Sequence, residues 1–578
     1  MADGKKAPVE LVTDVLVIGG GSAGLWCADH IKELAPELSV TIVDKGPRNW
    51  GGLMAESGGD LVSLLPGDDI DAWMRDFIYY WDGLCDQELL ERFLRKSYDI
   101  LKEYADNGCD FLTDEDGAFR SVVQRGLDHP ALHPARRKGC GGERMAQVKL
   151  RQMRERGVRF QGRTLVTDLL KRGDRVIGAV GFDTIRGDFY LFRSRVVVMA
   201  CGNSGWKTSQ HASTVTGEGV ALAVRAGASV RNYEFVKVWN VPDQFSWEGQ
   251  TTLMPLGAKY VNSRGEAFMD RYSPVLGANT DPHYLTRGMA FELHAGRGPI
   301  HFDMSAIPER DRPLIRPEEG NQLLHYTKLV DVGMDFFRDD IHWRLQMLDS
   351  QGGLTADSDG RTGVPGLYAA GRCRSIDNGV YMGGFALFST AVGGWFAGEA
   401  IVRELREDPP ELESPSAAQV EELRAGIFRP LGREGWMPKE VLTRIQSLVF
   451  PYDVCILKSE ASLSRALEGV RAIRAEQVPR MAAADPHYLL KLWEVDAIAE
   501  TTEWYLLASL ARRESRAGHF RLDYPARDDA SFLGWLELSP DGAGGMDVHL
   551  VPVPLEQYRF PVERYYSDQF RFPTSQTV

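Results

Sequence analysis

The sequence predicts an α/β protein whose first part is a doubly wound, Rossmann-like domain. Three observations indicate this class. The chain has 578 residues, a length typical of two to four domains. Residues 12–18 form an apolar, β-branched run that is typical of a buried strand, and a glycine motif follows it at once. Glycine is frequent, with 59 residues, and many of them are clustered, which indicates backbone that approaches another group closely.

The glycine motif at 19–24 reads G-x-G-x-x-G and lies between the first strand and a helical pattern over 25–34. A second strand over 39–43 ends before Asp44. In a dinucleotide-binding βαβ unit, these glycines permit the tight turn, the approach of a pyrophosphate and the packing of helix on strand. The helix N-terminus attracts phosphate, and Asp44 can accept hydrogen bonds from ribose hydroxyls. The motif fits NAD and FAD equally well, and a βαβ unit without a ligand is the alternative.

Charge and cysteine content narrow the function classes. The formal net charge is 67 − 81 = −14, and no basic stripe is present, which argues against nucleic-acid binding. The seven cysteines include no C-x-x-C pair, so we expect neither a disulfide framework, nor an iron–sulfur centre, nor another metal site. The N-terminus lacks the pattern of an export signal, and the longest apolar run, 385–402, is too mixed for a membrane span. We therefore expect a cytoplasmic protein.

Later segments add a recognisable order of motifs. Residues 196–202 and 364–371 are apolar strands that end in glycine, residues 216–219 read TGEG before a helical run, and 513–525 reads RESRAGHFRLDYP. These segments resemble the flavoprotein subunits of the succinate dehydrogenase and fumarate reductase superfamily, whose C-terminal signature is ESRGAHxRxDYP. That superfamily includes L-aspartate oxidase and the alpha subunit of adenylylsulfate reductase. The resemblance implies FAD as cofactor and an oxidoreductase activity.

The resemblance also implies a domain organisation. An FAD-binding domain at 1–240 and 350–410 is interrupted by an α+β capping domain at 241–349. A helical C-terminal domain follows at 411–535, and 536–578 form a tail with six closely spaced aromatic side chains. The tail either provides a docking surface or packs against the rest of the chain.

The glycine motif and the resemblance together indicate the cofactor-binding residues. In the quinone-linked members a histidine carries FAD covalently, but Gly52 occupies that position here, so we expect non-covalent FAD. Arg372 replaces an acidic residue of the family, and it either pairs with a phosphate, raises the flavin potential or faces solvent. The full set is Gly19, Gly21, Ser22, Ala23, Gly24, Asp44, Lys45, Gly52, Ser57, Gly58, Gly59, Val166, Ala200, Gly202, Gly371, Arg372, Gly383 and Gly384.

The residues that hold substrate carboxylates in the dicarboxylate members are replaced here. The family's two histidines become Trp239 and Leu348, and its two arginines, one of which delivers the proton, become Pro282 and Tyr381. Each lost charge-assisted contact removes about 1.5–3 kcal/mol, so we expect succinate, fumarate and aspartate to bind poorly. The replacements, together with Phe385, either admit a larger, flatter or less charged substrate or fill a closed pocket.

Four residues are candidates for catalysis, because relatives place their segments at the active site: Lys237, His283, Arg287 and Tyr381. In a flavoprotein of this family a hydride passes between substrate and flavin N5, and the protein supplies orientation and a positioned acid or base. Histidine titrates near neutral pH and suits proton transfer. A structural role is the alternative for each of the four.

Residues 294–300, HAGRGPI, resemble the adenylylsulfate reductase branch, which works with a ferredoxin-like partner that carries iron–sulfur clusters. Three functions therefore stay open. The chain exchanges electrons with an iron–sulfur partner, or it is a freestanding flavin dehydrogenase or double-bond reductase, or it is a non-catalytic subunit stabilised by FAD. The small-molecule substrate and the oligomeric state are not predicted.

Overall fold

A computed structural model describes residues 7–48, 50–135, 141–208, 213–244, 254–310, 333–334, 337–376 and 379–574. Its strands are β1 (Val9–Ile18), β2 (Val40–Val43), β3 (Leu61–Val62), β4 (Val122–Val123), β5 (Ala131–His133), β6 (Arg159–Gln161), β7 (Thr164–Arg172), β8 (Arg175–Asp183), β9 (Phe189–Met199), β10 (Val230–Arg231), β11 (Val236–Pro242), β12 (Lys259–Val261), β13 (Ile300–Asp303), β14 (His342–Ser350), β15 (Gly353–Leu354), β16 (Leu367–Ala369), β17 (Gly534–Pro540) and β18 (Met546–Pro552).

The helices of the described segments are α1 (Ser22–Leu34), α2 (Ile70–Tyr80), α3 (Gln87–Asp106), α4 (Gly141–Glu155), α5 (Glu218–Arg225), α6 (Met269–Tyr272), α7 (Pro282–His294), α8 (Phe385–Glu407), α9 (Ala417–Phe428), α10 (Pro438–Val449), α11 (Tyr452–Cys455), α12 (Glu460–Glu476), α13 (Pro486–Ala511) and α14 (Asp529–Phe532).

The central sheet has the order β6-β2-β1-β9-β8-β7, and β16 adds to β9. Strands β2, β1, β9 and β16 are parallel, and Ile18 lies level with both Val43 and Met199. The side chains of 15–18 are buried, as expected for a strand covered on both faces. The carboxyl ends of these strands therefore meet at one edge, which is where doubly wound folds bind nucleotides. The predicted fold class is confirmed.

Helix α8 packs closely on α1. A Cβ added to Gly394 would lie 2.3 Å from the Ala23 carbonyl oxygen, so the absence of a side chain there permits the contact. Among the described helices, α8 is also the one that is long and apolar enough to cross a membrane. However, 72% of its apolar 18-residue stretch is buried inside the protein. Its composition is therefore explained by its place in the core.

The capping domain is built on an antiparallel sheet of order β11-β14-β13-β12, with α7 against it. This sheet begins at Val236 rather than at the predicted boundary of 241, because the residues that precede the boundary already pair with β14. Val238 pairs with Met347 and Trp239 with Gln346. Strand β11 thus links the two domains directly.

The helical domain comprises α9 to α13, and the chain then returns to the FAD-binding domain. Strands β17 and β18 extend β10 and β15 into a four-stranded antiparallel sheet. Beyond them, Phe570 stacks on Tyr284 of α7 at 3.8 Å between ring centroids, and Tyr566 is fully buried. Of the two interpretations of the tail, the described contacts therefore favour packing against the rest of the chain.

Candidate active site

The turn between β1 and α1 forms a nucleotide cradle, which we define as Gly19, Gly21, Gly24 and Asp44. Gly19 has φ +113°, and a Cβ on it would lie 2.3 Å from the Ala200 carbonyl oxygen. A Cβ on Gly24 would lie 2.0 Å from the carbonyl oxygen of Gly19, so helix and strand touch there. In contrast, the atoms nearest to a Cβ on Gly21 would be 3.9 Å and 4.0 Å away. The first and third glycines are therefore required for packing, and the second borders open space.

Helix α1 begins beside that open space. Its N-cap residue, Gly21, provides no side-chain hydrogen bond, so the first N–H groups of the helix are available to an anion. A Cβ on Gly371 would lie 2.5 Å from the Ala23 Cβ, which places the turn after β16 against the same helix end. The structure thus places Ser22, Ala23 and Gly371 at the same end of α1.

Asp44 follows β2 and closes the cradle on the other side. Its Oδ2 accepts a hydrogen bond from the Gly20 N–H and its Oδ1 one from the Gly46 N–H, each at 2.6 Å. Burial raises the pKa of Asp44, while these two hydrogen bonds act in the opposite direction. The two N–H donors hold the carboxylate in one orientation at the carboxyl edge of the sheet.

Lys45 lies in an ion-pair network that also joins the domains. Its Nζ donates to Glu218 at the start of α5, to Thr216 Oγ1 at 2.7 Å and to Glu494 of α13 at 3.0 Å. Burial would lower the pKa of Lys45, but the carboxylates of Glu218 and Glu494 raise it above its ordinary value. Lys207 also donates to Glu494, at 2.7 Å. These contacts favour a structural role for Lys45 at the rim of the cradle.

Further predicted cofactor residues surround the cradle in turns. A Cβ on Gly52 would lie 3.0 Å from the Cα of Gly21, and Gly59, with φ +84°, lies against the start of α4. The Ser57 hydroxyl donates to the Met54 carbonyl oxygen at 2.7 Å. Elsewhere, Val166 of β7 is buried beside Glu218 and borders a small cavity. The rest of the set consists of turn residues that precede β3, follow β9 or precede α8: Gly58, Ala200, Gly202, Gly383 and Gly384.

A second group of side chains lies where the capping domain meets the FAD-binding domain. We call it the Lys237 cluster and define it as Lys237, Trp239, Asp349, Arg372 and Tyr381. The Lys237 Nζ lies 3.3 Å from Asp349 Oδ1 and 4.9 Å from the centroid of the Tyr381 ring. The rings of Trp239 and Tyr381 meet edge to face at 5.5 Å, and an Arg372 nitrogen lies 3.9 Å from Asp349 Oδ1.

The Lys237 cluster has an apolar side. Trp239 and Leu53 each pack against Val215 and Leu348, and Leu53 directly follows Gly52, which contacts the cradle. The cluster is therefore adjacent to the segment that leaves the cradle. The indole Nε1 of Trp239 is buried and has no hydrogen-bond partner among the described residues.

His283, at the start of α7, completes this region. Its Nδ1 lies 3.3 Å from the Tyr381 backbone nitrogen, which donates to it when the ring proton is on Nε2, and 3.7 Å from Asp281 Oδ1. The Nε2 atom is buried and lacks a partner within the described part of the chain. A buried donor without a partner is costly unless a ligand satisfies it, so each of these two side chains, His283 and Trp239, is a candidate for contact with a bound molecule.

Comparison with known proteins assigns the family. Residues 14–386 match the FAD binding domain family, and residues 448–566 match the family of the fumarate reductase flavoprotein C-terminus. The chain belongs to the FAD-binding fumarate reductase flavoprotein family. A fumarate reductase flavoprotein subunit of Mycobacterium tuberculosis is 27% identical over 595 residues, which cover 96% of this chain and 99% of that protein.

Two solved structures have the same fold as this flavoprotein. The quinol fumarate reductase flavoprotein of E. coli has a TM-score of 0.85 at 20% identity, and 96% of this chain and 98% of that chain are covered. Adenylylsulfate reductase from Archaeoglobus fulgidus has a TM-score of 0.79 at 19% identity over the same shares. This chain is thus an FAD-dependent oxidoreductase of the succinate dehydrogenase and fumarate reductase family.

The residues of this flavoprotein fit FAD. The open space at Gly21 and the free N–H groups of α1 suit the pyrophosphate, and Asp44 suits the ribose. A dinucleotide is longer than the turn between β1 and α1. Gly52 and Gly371 lie against the N-terminal end of α1, so they extend the glycine-lined surface beyond that turn. These groups would hold FAD with its phosphates at α1.

Arg287 lies in different surroundings from the other three catalytic candidates. Its guanidinium donates to the Ala517 carbonyl oxygen at 2.7 Å and lies over the rings of Tyr284, Phe520 and Phe572 at 4.5–5.1 Å. Burial lowers its pKa. These contacts join α7 to the C-terminal signature and the tail, so they favour a structural role over the predicted catalytic one.

Sequence reasoning missed Asp349, although it directly follows Leu348, which was aligned with a family histidine. No spacing indicates its partner, because Asp349 and Lys237 are 112 residues apart in the chain. Only the pairing of β11 with β14 brings them together.

Proposed function

We propose that this FAD-dependent oxidoreductase acts on a flat, weakly charged substrate rather than a small dicarboxylate. The observation that carries the proposal is the composition of the Lys237 cluster. Aromatic rings of Trp239 and Tyr381 stand at positions where the resemblance places carboxylate ligands. The named fumarate reductases take a dicarboxylate, so this chain would differ from them in substrate while retaining the cofactor.

The electrostatics of the cluster support a weakly charged substrate. Lys237 is paired with Asp349, and Arg372 approaches the same carboxylate. An incoming carboxylate would therefore have to compete with a buried internal anion for both cations, which reduces the attraction that a free lysine or arginine offers. A planar, conjugated molecule would instead stack or pack against Trp239, Tyr381 and Leu348.

FAD, when bound, supplies two-electron redox chemistry. The protein must then orient the substrate and deliver or remove a proton. His283 suits this role because its Nε2 is buried and unpaired among described residues, and because the Tyr381 N–H holds its ring in one orientation. The Trp239 Nε1 suits a carbonyl or other neutral acceptor on the substrate. Lys237 would position Tyr381 from the far side of the ring.

An anaerobic acceptor experiment tests the substrate class. The FAD-loaded protein is reduced with dithionite and mixed in a stopped-flow instrument with fumarate or with cinnamaldehyde, a planar and uncharged conjugated enal. We expect cinnamaldehyde to reoxidise the flavin in a saturable manner and fumarate to do so no faster than buffer. Saturable reoxidation by fumarate would contradict the proposal.

Two variants sharpen the same experiment. Tyr381→Arg introduces a cation where the family has one and should increase the affinity for fumarate, because one charge-assisted contact is worth about 1.5–3 kcal/mol. Tyr381→Phe keeps the ring and should leave fumarate inactive. If no acceptor reoxidises the flavin of the wild-type chain, the non-catalytic alternative is favoured.

We further propose that the chain exchanges electrons with an iron–sulfur partner. The relative in Mycobacterium tuberculosis is named a flavoprotein subunit, which supports a partner. The test compares reduction of the flavin by a reduced two-cluster ferredoxin with reduction by NADH and NADPH. Efficient turnover with NAD(P)H or oxygen alone would favour the freestanding dehydrogenase instead.

The absence of a histidine at Gly52 leads us to propose non-covalent FAD. Acid precipitation followed by centrifugation should leave the yellow colour in the supernatant. Colour in the pellet would show a covalent bond and would contradict this part of the proposal.

A further inference from the structure

Two histidines of the capping sheet lie directly opposite each other. His301 of β13 is the cross-strand partner of His342 of β14, and their rings meet edge to face with centroids 4.8 Å apart. Asp340 lies two residues before His342, the first residue of β14, and reaches both rings. Its Oδ1 lies 2.5 Å from His301 Nδ1, and its Oδ2 lies 3.5 Å from His342 Nε2.

The neighbours of each histidine along its strand point into the core, since Ile300, Phe302 and Trp343 are buried. The histidine side chains therefore lie on the outer face of the sheet, half-buried, with Asp340 exposed beside them. A solvated ion can reach them there without passing through the core.

The three side chains satisfy the geometric needs of a metal ion. One ligand atom from each residue lies within 4.8 Å of the others. Ligand atoms at about 2.0–2.1 Å from a tetrahedral Zn²⁺ lie about 3.3–3.4 Å apart, so side-chain shifts of about 1–1.5 Å would complete the set. The strand pairing already fixes both histidines, which limits the entropy lost on binding.

We propose that His301, Asp340 and His342 form a transition-metal site on the capping sheet. Two imidazoles and one carboxylate favour Zn²⁺, Ni²⁺ or Cu²⁺ over Mg²⁺ or Ca²⁺, which prefer sets of oxygen ligands. Three protein ligands leave at least one position for water. The bound ion would join β13 to the start of β14.

The site is separate from the Lys237 cluster and does not depend on the proposed function. His342 and Asp349 are seven residues apart on β14 (349 − 342 = 7), which corresponds to about 23 Å along an extended strand. The ion would therefore act as a structural link within the capping sheet. It would bind at the start of β14, whereas Asp349 lies near the end of the same strand.

Isothermal titration with ZnCl₂ tests the proposal on the FAD-loaded full chain, prepared without a histidine tag and treated with EDTA. We expect one Zn²⁺ per chain with a dissociation constant in the micromolar range. His301→Gln and His342→Gln should each weaken zinc binding by about 10–100-fold or more. Loss of a residue that only orients a metal ligand already weakens binding by that factor, and these two residues would contact the ion directly. The FAD content and circular dichroism of each variant should equal those of the wild type.

His549→Gln provides the matched control, because His549 is also half-exposed and lies 3.8 Å from its cross-strand partner Glu537. It should leave zinc binding unchanged. Absence of zinc binding to the wild type, or equal binding by His301→Gln and the wild type, would overturn the proposal. If a glutamine variant lost FAD or helicity, Asp340→Asn, which alters an exposed residue, would decide the question by the same titration.

Discussion

The nucleotide cradle and the Lys237 cluster lie next to each other but are built in opposite ways. The cradle consists of backbone and of missing side chains, and three of its four residues are glycines within one turn. The Lys237 cluster consists of side chains from β11, β14 and the turns after β16, which are more than 100 residues apart at the extremes. The shape of the first region comes from the backbone, whereas that of the second depends on the identity of each side chain.

This difference explains why substitutions have different consequences in the two regions. A Cβ at Gly24 would collide with a carbonyl oxygen of the fold itself, so a change there damages folding and cofactor binding together. Replacement of a side chain in the Lys237 cluster changes the shape and charge of that region and leaves the cradle intact, provided that its charges remain paired. The cradle is present in this chain, whereas replacement of the family's carboxylate ligands stays a prediction from the resemblance.

The largest expected effect separates two glycines of the cradle. Gly24→Val should destabilise the protein by about 3 kcal/mol or more, because its Cβ would lie 2.0 Å from a backbone oxygen. Gly21→Val should fold, since the nearest atoms are 3.9 Å away and φ is −83°, but its side chain fills the space for the pyrophosphate. Urea unfolding and FAD content measure both effects.

The expected result is a soluble, colourless Gly21→Val protein with near wild-type stability of the apoprotein, beside a Gly24→Val protein that is unstable with or without FAD. If Gly21→Val retained stoichiometric FAD, the assignment of the open space to the pyrophosphate would be wrong.

An intermediate effect concerns the rim of the cradle. Burial would raise the pKa of Glu494, but Lys45 and Lys207 lower it to about 2. A carboxyl group with a lowered pKa stabilises the fold above its ordinary pKa of 4.5, and this contribution is lost as the pH falls from 4.5 toward 2. Glu494→Gln should thus reduce the free energy of unfolding by on the order of 3 kcal/mol at pH 7.

The difference between Glu494→Gln and the wild type should shrink as urea unfolding is repeated from pH 6 down to pH 3. Glu476→Gln, which alters an exposed glutamate of α12, serves as the control and should match the wild type throughout. A constant difference at all pH values would indicate that packing rather than charge accounts for the loss.

The smallest expected effect concerns the pairing of charge in the Lys237 cluster. Asp349→Asn should release Lys237 and Arg372 from their shared carboxylate and raise the affinity for small anions by about tenfold, equivalent to roughly 1.4 kcal/mol. Flavin difference spectra with sulfate and fumarate measure the change. Asp174→Asn, at an exposed turn, should have no effect, and equal affinities in all three proteins would contradict the proposed neutralisation.

Much of the cofactor region could be predicted from sequence because its signal is local. The strand before Gly19, the helix after Gly21 and the acid at Asp44 lie within one βαβ unit, and each is present in the structure. Lys45 is the exception. Asp44, the residue before Lys45, holds the turn through backbone hydrogen bonds. The charge of Lys45 is instead paired with Glu494, which is 449 positions away in the chain.

Side-chain partners were harder to predict, since they come from long-range strand pairing. Arg287 was expected in catalysis from its segment, yet the aromatic tail folds back on α7 and encloses its guanidinium. Asp349 was overlooked, and the pair His301 and His342 gave no signal, because antiparallel neighbours at long separation leave no spacing pattern.

By itself the sequence determined the class of fold and the cofactor, because glycine motifs act through backbone geometry that is encoded over a few residues. Only the tertiary structure decided which charges are free. Lys237, Arg372 and Lys45 are all cations in the sequence, but burial makes an unpaired charge costly, so the fold pairs Lys237 and Arg372 with Asp349 and pairs Lys45 with Glu218 and Glu494.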